Sequence, residues 1–210
     1  RQRQMCKETR ITQSLATLSL TLDDLDGILI THEHIDHVRA LGTLQKKHAI
    51  PLYASFGTAA AISYPAPYLH AFAADETFTI KDLQIRSFRT SHDAKESVGY
   101  RIESSDGSLA VLTDTGFITD DAHDAALGAD MLLLESNHDV IMLKNGGYPY
   151  YLKQRIRSEY GHLSNAEAAK TVEALAQRGT AHFVLAHLSR ESNTPALARS
   201  NTCLLYTSPS

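Results

Sequence analysis

Three histidines and an aspartate crowd into residues 31–37, which read Thr-His-Glu-His-Ile-Asp-His. The ligand-type residues of this segment are His32, His34, Asp36 and His37. Residues 28–30 before them are apolar, which predicts a buried strand that ends where these side chains begin. Imidazole nitrogens and carboxylate oxygens bind zinc and similar metals, whereas crowded imidazoles repel one another once protonated. The spacing therefore favours a metal site over a solvated histidine-rich loop.

Four later strands are also predicted to end at a ligand-type residue. The strands at residues 83–90, 109–113, 131–134 and 183–186 lead to His92, Asp114, Glu135 and His187, respectively. Side chains delivered by the ends of several strands can build an active site at the edge of a sheet.

Seven residues form the candidate ligand set: His32, His34, Asp36, His37, His92, Asp114 and His187. One tetrahedral zinc takes three or four protein ligands, so this set suffices for two divalent metal ions about 3.5–4 Å apart. Two such ions lower the pKa of a shared water, and the resulting hydroxide attacks an electrophile. A bridging carboxylate would hold the pair, and Asp114 is the candidate. The ligand types suit Zn²⁺ and Mn²⁺ alike.

Length and composition limit the other function classes. The 210 residues, 43% hydrophobic, allow one sizeable domain, here residues 1–200, and residues 201–210 are interpreted as a non-native tail. The net charge of −4 leaves nucleic-acid binding to a local basic patch or to metals. Two cysteines are too few for a disulfide framework, which favours a cytoplasmic setting. No apolar stretch approaches membrane-spanning length, so no membrane partner is expected.

The order of predicted elements indicates an α+β fold in which helices pack outside sheets. Helices are predicted over residues 6–18, 38–48 and 58–62, and after a capping box formed by Ser164 and Glu167. Further strands are predicted at residues 51–54, 78–80 and 98–102, with a hairpin turn at residues 105–108.

The segment from His32 to His37 resembles the HxHxDH motif of the metallo-β-lactamase superfamily. The later motifs of that family are expected where His92, Asp114 and His187 stand. Residues 91–94, 113–116, 134–139, 161–165 and 186–189 resemble the YycJ/WalJ-like exonuclease branch, and the resemblance covers about residues 6–198. It implies an αββα sandwich and a two-metal phosphodiesterase with 5′→3′ exonuclease activity on DNA.

The resemblance also implies a division of the ligands between two metals. One metal would be held by His32, His34 and His92. The other would be held by Asp36, His37 and His187, with Asp114 between the two ions. Asp36 would be a catalytic residue as well as a ligand.

Two departures from the family pattern affect the expected fold. The family usually begins with a pair of strands that carry a Ser/Gly-rich turn and an Asp-containing loop. The resemblance begins after these strands and stops near Ala198, before the family's last segment. The sandwich is therefore expected to be incomplete at its N-terminal strands, and the chain itself to be less stable or inactive.

His162 is the second catalytic candidate and lies outside the ligand set. It follows Gly161 and precedes the predicted helix cap at Ser164, where a short backbone can present an imidazole to a ligand. Related nucleases of the ribonuclease Z type carry a histidine in a similar place that assists the leaving oxygen or the phosphate. His162 is therefore predicted to be catalytic, with a structural role as the alternative. Glu135 is a candidate to orient it.

The remaining polar residues receive simpler interpretations. A basic run before His162 is predicted either to steer a phosphate backbone or to form a solvated face: Lys153, Arg155 and Arg157. Four histidines far from any ligand-rich strand end are assigned to the surface or to packing: His48, His70, His123 and His182.

Three other functions remain open. A metal-activated water attacks acyl carbon as well as phosphorus, so the chain can instead be a small-molecule thioester, ester or lactam hydrolase. A cysteine at the Asp114 position would favour a lactamase, and none stands there. A flavodiiron-type oxidoreductase would carry Glu in place of His34. A binding protein or an inactive fragment is the last alternative.

Overall fold

The computed structural model describes residues 7–63 and 66–206. The chain divides into two compact units. The N-terminal unit comprises Arg1–Ala74 and Ala94–Glu96, and the C-terminal unit comprises Asp75–Asp93 and Ser97–Ser210.

The N-terminal unit is built on a parallel sheet with the strand order β1-β2-β3. Its described elements are α1 (Lys7–Ala16), a 3-10 helix (Leu22–Asp24), β1 (Ile28–Leu29), α2 (Ile35–Val38), α3 (Leu41–Lys47), β2 (Leu52–Ser55), α4 (Phe56–Ala61) and β3 (Leu69–Phe72). Leu44 of α3 and Leu52 of β2 are fully buried in one core with Ile30. This packing anchors the chain directly before the histidine-rich segment.

The C-terminal unit contains a mixed sheet with the order β4-β5-β6-β7-β8-β9. Its described elements are β4 (Thr77–Ile80), β5 (Leu83–Arg89), β6 (Val98–Ser104), β7 (Gly107–Leu112), α5 (Asp120–Ala126), β8 (Met131–Glu135), α6 (Val140–Asn145), α7 (Tyr150–Ile156), α8 (Asn165–Ala176), β9 (His182–Ala186) and α9 (Pro195–Tyr206). Gly107, the first residue of β7 after the tight turn that follows β6, has a φ of +145°, a conformation that side-chain-bearing residues rarely adopt.

Four strands of this sheet run in the same direction. β5 and β7 are each antiparallel to β6, and β7, β8 and β9 are parallel to one another. The carboxyl ends of β5, β7, β8 and β9 therefore lie along one edge of the sheet. At or just after these ends stand His92, Asp114, Glu135 and His187.

Aliphatic packing holds these strand ends in place. Leu112, Leu132 and Leu134 are fully buried and share a core with Ala122 of α5 and Val172 of α8. Burial of a large aliphatic side chain is worth about 1.5–3 kcal/mol, so this core strongly fixes the frame that carries the polar edge. The predicted capping box is confirmed, because Ser164 accepts from the Glu167 amide and Glu167 accepts from the Ser164 amide.

The predicted α+β class is confirmed, but some predicted bounds are wrong. The helix predicted at residues 38–48 is two helices, α2 and α3, and α2 already includes Asp36 and His37. The intervening Arg39 and Ala40 keep helical dihedral angles, so no breaker residue marks the division. Asp36 and His37 thus lie on a short helix that the sequence did not predict.

The C-terminal helix crosses the predicted boundary between domain and tail. α9 begins at Pro195 and runs through residues 201–206, whereas residues 207–210 lie outside the described residues, as does Cys6 of the first predicted helix. Over residues 7–63 and 66–206, no helix combines the length and apolar character needed to cross a bilayer.

Candidate metal centre

The histidine-rich segment of the N-terminal unit forms a compact cluster of rings. The ring centroids of His32 and His34 lie 4.5 Å apart, and those of His32 and His37 lie 4.1 Å apart. The Thr31 hydroxyl lies 3.1 Å from Nδ1 of His32 and 3.3 Å from Nδ1 of His37. Both rings would therefore bind a metal through Nε2. Nε2 of His37 lies 3.5 Å from the Asp36 carboxylate, a suitable separation for two ligands of one ion.

Asp114 lies between two histidines at the polar edge of the C-terminal sheet. Its Oδ1 is 3.4 Å from Nε2 of His187 and 4.0 Å from Nε2 of His92. Ligand atoms that lie about 2.0–2.2 Å from a tetrahedral zinc are separated from one another by roughly 3.4 Å. The carboxylate and both imidazoles thus offer the donor types of a divalent metal site, and the separation of Asp114 and His187 matches ligand spacing.

Glu135 ends β8 and accepts hydrogen bonds from four groups. Its Oε1 lies 2.8 Å from Nδ1 of His162 and 2.6 Å from Nδ1 of His187. Its Oε2 accepts from the backbone amides of Thr115 and Leu163, at 3.2 Å and 3.1 Å. Because both rings meet Glu135 through Nδ1, their Nε2 atoms point away from it. The predicted contact with His162 is confirmed, and the contact with His187 was not predicted.

The protonation states of this edge follow from burial and hydrogen bonding. Burial by itself would raise the pKa of the Glu135 carboxyl, but hydrogen bonds from His162 and His187 outweigh it and lower the pKa to about 2. Glu135 is therefore an anion at neutral pH and favours a proton on Nδ1 of both rings. Burial lowers the pKa of His92 despite the nearby Asp114 carboxylate. A neutral imidazole is the form that binds a metal.

Gly161 sets the position of two site histidines. Its carbonyl oxygen lies 3.1 Å from Nδ1 of His92, and the next amide, that of His162, donates to the Ile156 carbonyl at 2.9 Å. A Cβ at position 161 would collide with the carbonyl oxygens of Arg155 and Ile156 at the end of α7. Only glycine lets the chain pass this closely and still present His162 to the site.

Replacement of Gly161 by alanine is expected to lower the free energy of unfolding by about 1–3 kcal/mol, because backbone atoms cannot yield as a side chain can. The melting temperature should fall by about 2–4 °C for each kcal/mol. Gly147→Ala is the matched control, since a Cβ there meets nothing within 4 Å. Thermal melts that give the same midpoint for both variants would contradict this role of Gly161.

Two candidate ligands have a backbone conformation that is unfavourable for residues with side chains. Asp114 has a φ of 55° and His187 a φ of 54°, both in the left-handed region. The side-chain amide of Asn137 donates to the His187 carbonyl at 3.1 Å. That of Asn193 donates to the carbonyls of Ser136 and Asn137, at 2.8 Å and 3.1 Å. Asn137 and Asn193 are positioning residues that sequence reasoning missed, because asparagine is common in ordinary turns.

The predicted site residues thus fall into two groups, one in each unit. In the C-terminal unit His92, Asp114, His162 and His187 lie close together, and the centroid of the His162 ring is 5.0 Å from that of His92 and 5.3 Å from that of His187. In the N-terminal unit the cluster is His32, His34, Asp36 and His37. One pocket shared by all seven predicted ligands stays a prediction.

Other polar residues have local partners. His48 pairs with Asp23 at 2.8 Å, and the His70 ring stacks on Tyr53, in agreement with a packing role for these two histidines. Arg155 pairs with Asp93, which raises the pKa of the guanidinium through their hydrogen bond. The predicted basic run therefore includes one residue that is partly neutralised.

Comparison with known proteins agrees with this geometry. A sequence profile described as the β-lactamase superfamily domain matches residues 3–188. The chain is 39% identical to exodeoxyribonuclease YycJ of Bacillus anthracis over 86% of this chain and 70% of the relative. It is 41% identical to exodeoxyribonuclease WalJ of Streptococcus pneumoniae over 90% of this chain and 73% of the relative.

A solved structure gives the same result for the fold. The metallo-β-lactamase fold protein YhfI from Bacillus subtilis is similar with a TM-score of 0.70 and 19% identity, over 93% of this chain and 77% of YhfI. The profile match spans most of the chain, and the two exodeoxyribonuclease relatives exceed 30% identity. The chain therefore belongs to the metallo-β-lactamase superfamily and is a metal-dependent hydrolase.

Proposed function

We propose that this hydrolase is a two-metal phosphodiesterase that degrades DNA as a 5′→3′ exonuclease. The observation that carries the proposal is the arrangement around Glu135, which holds His187 and His162 by their Nδ1 atoms beside Asp114. Glu135 thus contacts both a candidate metal ligand, His187, and a candidate proton donor, His162. This pairing suits the cleavage of a phosphate ester, because the leaving oxygen must be protonated. The exodeoxyribonuclease relatives support DNA as the substrate.

The ligand assignment of the proposal follows the superfamily pattern. One ion is assigned to His32, His34 and His92, and the other to Asp36, His37 and His187, with Asp114 as the shared ligand. The donor set supports this assignment, because each unit contributes imidazoles and a carboxylate at ligand spacing. When bound, divalent ions such as Zn²⁺ or Mn²⁺ supply positive charge for the phosphate and acidify water.

The residues of the chain have separate roles in the proposed reaction. Asp36 is assigned to accept a proton from the attacking water, whose oxygen forms the new bond to phosphorus. His162 donates a proton from Nε2 to the leaving oxygen as the old phosphorus–oxygen bond breaks. The Glu135 carboxylate accepts from Nδ1 of His162 at 2.8 Å, which orients the ring and leaves Nε2 to carry the transferred proton. Glu135 also keeps the His187 ring in its ligand orientation.

The surface near α7 supports a polyanionic substrate. Four basic residues stand between positions 140 and 158, namely Lys144, Lys153, Arg155 and Arg157, although the whole chain has a net charge of −4. Arg155 is paired with Asp93, and Asp139 and Glu159 flank this segment, so the positive charge here comes from the other three cations. Lys153 donates to the Lys144 carbonyl at 2.8 Å, a partner that carries no formal charge. A local positive field of this kind attracts the phosphate backbone of nucleic acid.

Metal removal and substrate choice test the proposal together. The purified chain, and the same chain extended to the length of its exodeoxyribonuclease relatives, are incubated with 5′-phosphorylated duplex DNA and Mn²⁺ or Zn²⁺. We expect stepwise shortening from the 5′ end that EDTA stops and added metal restores. A panel of thioesters, simple esters and lactams serves as the comparison. Faster hydrolysis of one of these than of DNA would identify a small-molecule hydrolase and overturn the proposal.

A further inference from the structure

A cavity of about 510 Å³ lies in the C-terminal unit beside His92, His162 and His187. Part of its lining comes from α7 and the residues before it. Leu152, Arg155 and Ile156 follow the i, i+3, i+4 spacing of one helical face, and all three line the cavity. The volume falls within the range of about 300–1,000 Å³ that is typical of small-ligand sites.

The lining of this cavity is unlike that of a site for phosphate alone. Phosphate is bound by cations and hydrogen-bond donors, which the histidine side and Arg190 provide. Two carboxylates also line the cavity, that of Asp93, which is paired with Arg155, and that of Glu191. The α7 side adds an aromatic ring, Tyr148, and the aliphatic side chains of Leu152 and Ile156. Such a surface suits a flat, weakly polar group that is attached to the phosphate.

We propose that the cavity binds one unpaired nucleobase, that of the nucleotide next to the scissile phosphate, with the base stacked against Tyr148. This inference rests on the proposed nuclease function and adds the group that the enzyme recognises. Every base has an aromatic face, so stacking on tyrosine binds without strong sequence preference. A base inside a duplex is covered by its neighbours, and the terminal base pair must therefore open before the base enters the cavity.

The test measures binding without cleavage. The full chain is mixed in EDTA with fluorescent single-stranded oligonucleotides whose terminal nucleotides either carry a base or are abasic, and anisotropy gives the Kd. Stacking on an aromatic side chain is worth about 1–3 kcal/mol, so the intact strand should bind roughly 5–150-fold more tightly than the abasic strand. Tyr148→Ala should reduce this ratio to near one. Tyr148→Phe keeps the ring and should preserve the ratio.

The control is Met131→Ala, which removes an exposed apolar side chain at the opposite end of β8 from Glu135. This variant should keep the ratio between intact and abasic strands. Equal Kd values for the two strands with the unchanged protein would overturn the inference. A Tyr148→Ala variant that binds both strands more weakly by the same factor would also overturn it, because the ring would then act without contacting a base.

The result is separable from the proposed function. Hydrolysis of bis(p-nitrophenyl) phosphate with Mn²⁺ reports on phosphodiester chemistry and requires no nucleobase. Absence of that activity together with absence of DNA cleavage would reject the nuclease proposal. Normal hydrolysis of this small diester with no discrimination between intact and abasic strands would reject the base site alone.

Discussion

Replacement of Asp114 by alanine is expected to abolish hydrolysis and to reduce the bound metal from two equivalents toward one. Oδ1 of Asp114 lies between Nε2 of His187 and Nε2 of His92, at 3.4 Å and 4.0 Å. Without its negative charge, two cations held close together would repel each other. Loss of a metal's charge stabilisation, worth several kcal/mol, corresponds to a rate reduction of at least about 10³-fold.

The measurement combines metal analysis of the dialysed protein with the rate of phosphodiester hydrolysis. Asp124→Ala is the control, since it removes an exposed carboxylate on α5 away from the polar edge. This variant should keep both metal equivalents and the parental rate. An Asp114→Ala protein that retains two metals and nearly normal turnover would disprove the shared-ligand role.

Replacement of His162 by alanine should slow DNA cleavage by about 10²–10⁴-fold, the usual range for loss of a general acid. The metal content should stay unchanged, because the 2.6 Å contact that holds His187 on Glu135 does not involve the removed imidazole. The rate of hydrolysis of a substrate whose leaving group needs no proton, such as p-nitrophenolate, should fall much less in this variant. This difference between substrates separates proton donation from a purely structural role.

The matched control is His182→Ala, which removes an exposed histidine at the start of β9, the end opposite His187. It should cleave DNA at the parental rate. Loss of metal from the His162→Ala protein would make this residue a ligand. An equal loss of rate on both kinds of leaving group would assign it a positioning role.

The polar edge of the C-terminal sheet could be predicted because the signal for each residue is local. An apolar run marks each of β7, β8 and β9, and a ligand-type residue follows directly. The parallel directions of these strands then place Asp114, Glu135 and His187 along one edge. The contact of His187 with Glu135 could not be predicted, because His187 stands 52 residues away along the chain.

The missed elements lack the patterns on which sequence reasoning depends. None of the α7 side chains is buried, so this helix has no apolar stripe to reveal it. In β3 only Phe72 is buried, so the strand lacks the alternation of apolar and polar residues that marks a half-buried strand. The split between α2 and α3 leaves no glycine or proline at the junction. Each of these features depends on contacts or backbone hydrogen bonds that a single sequence does not encode locally.

The left-handed backbone at Asp114 sets stability and activity against each other. A residue with a side chain in this region costs about 1 kcal/mol or more, whereas glycine adopts it without that penalty. Glycine at this position would relax the backbone and remove the carboxylate in one step. Laboratory evolution that scores only folding would therefore favour a change that eliminates the enzyme. Any programme to stabilise this protein has to select for turnover at the same time, since the residue with the least backbone strain at position 114 has no side chain that could bind a metal.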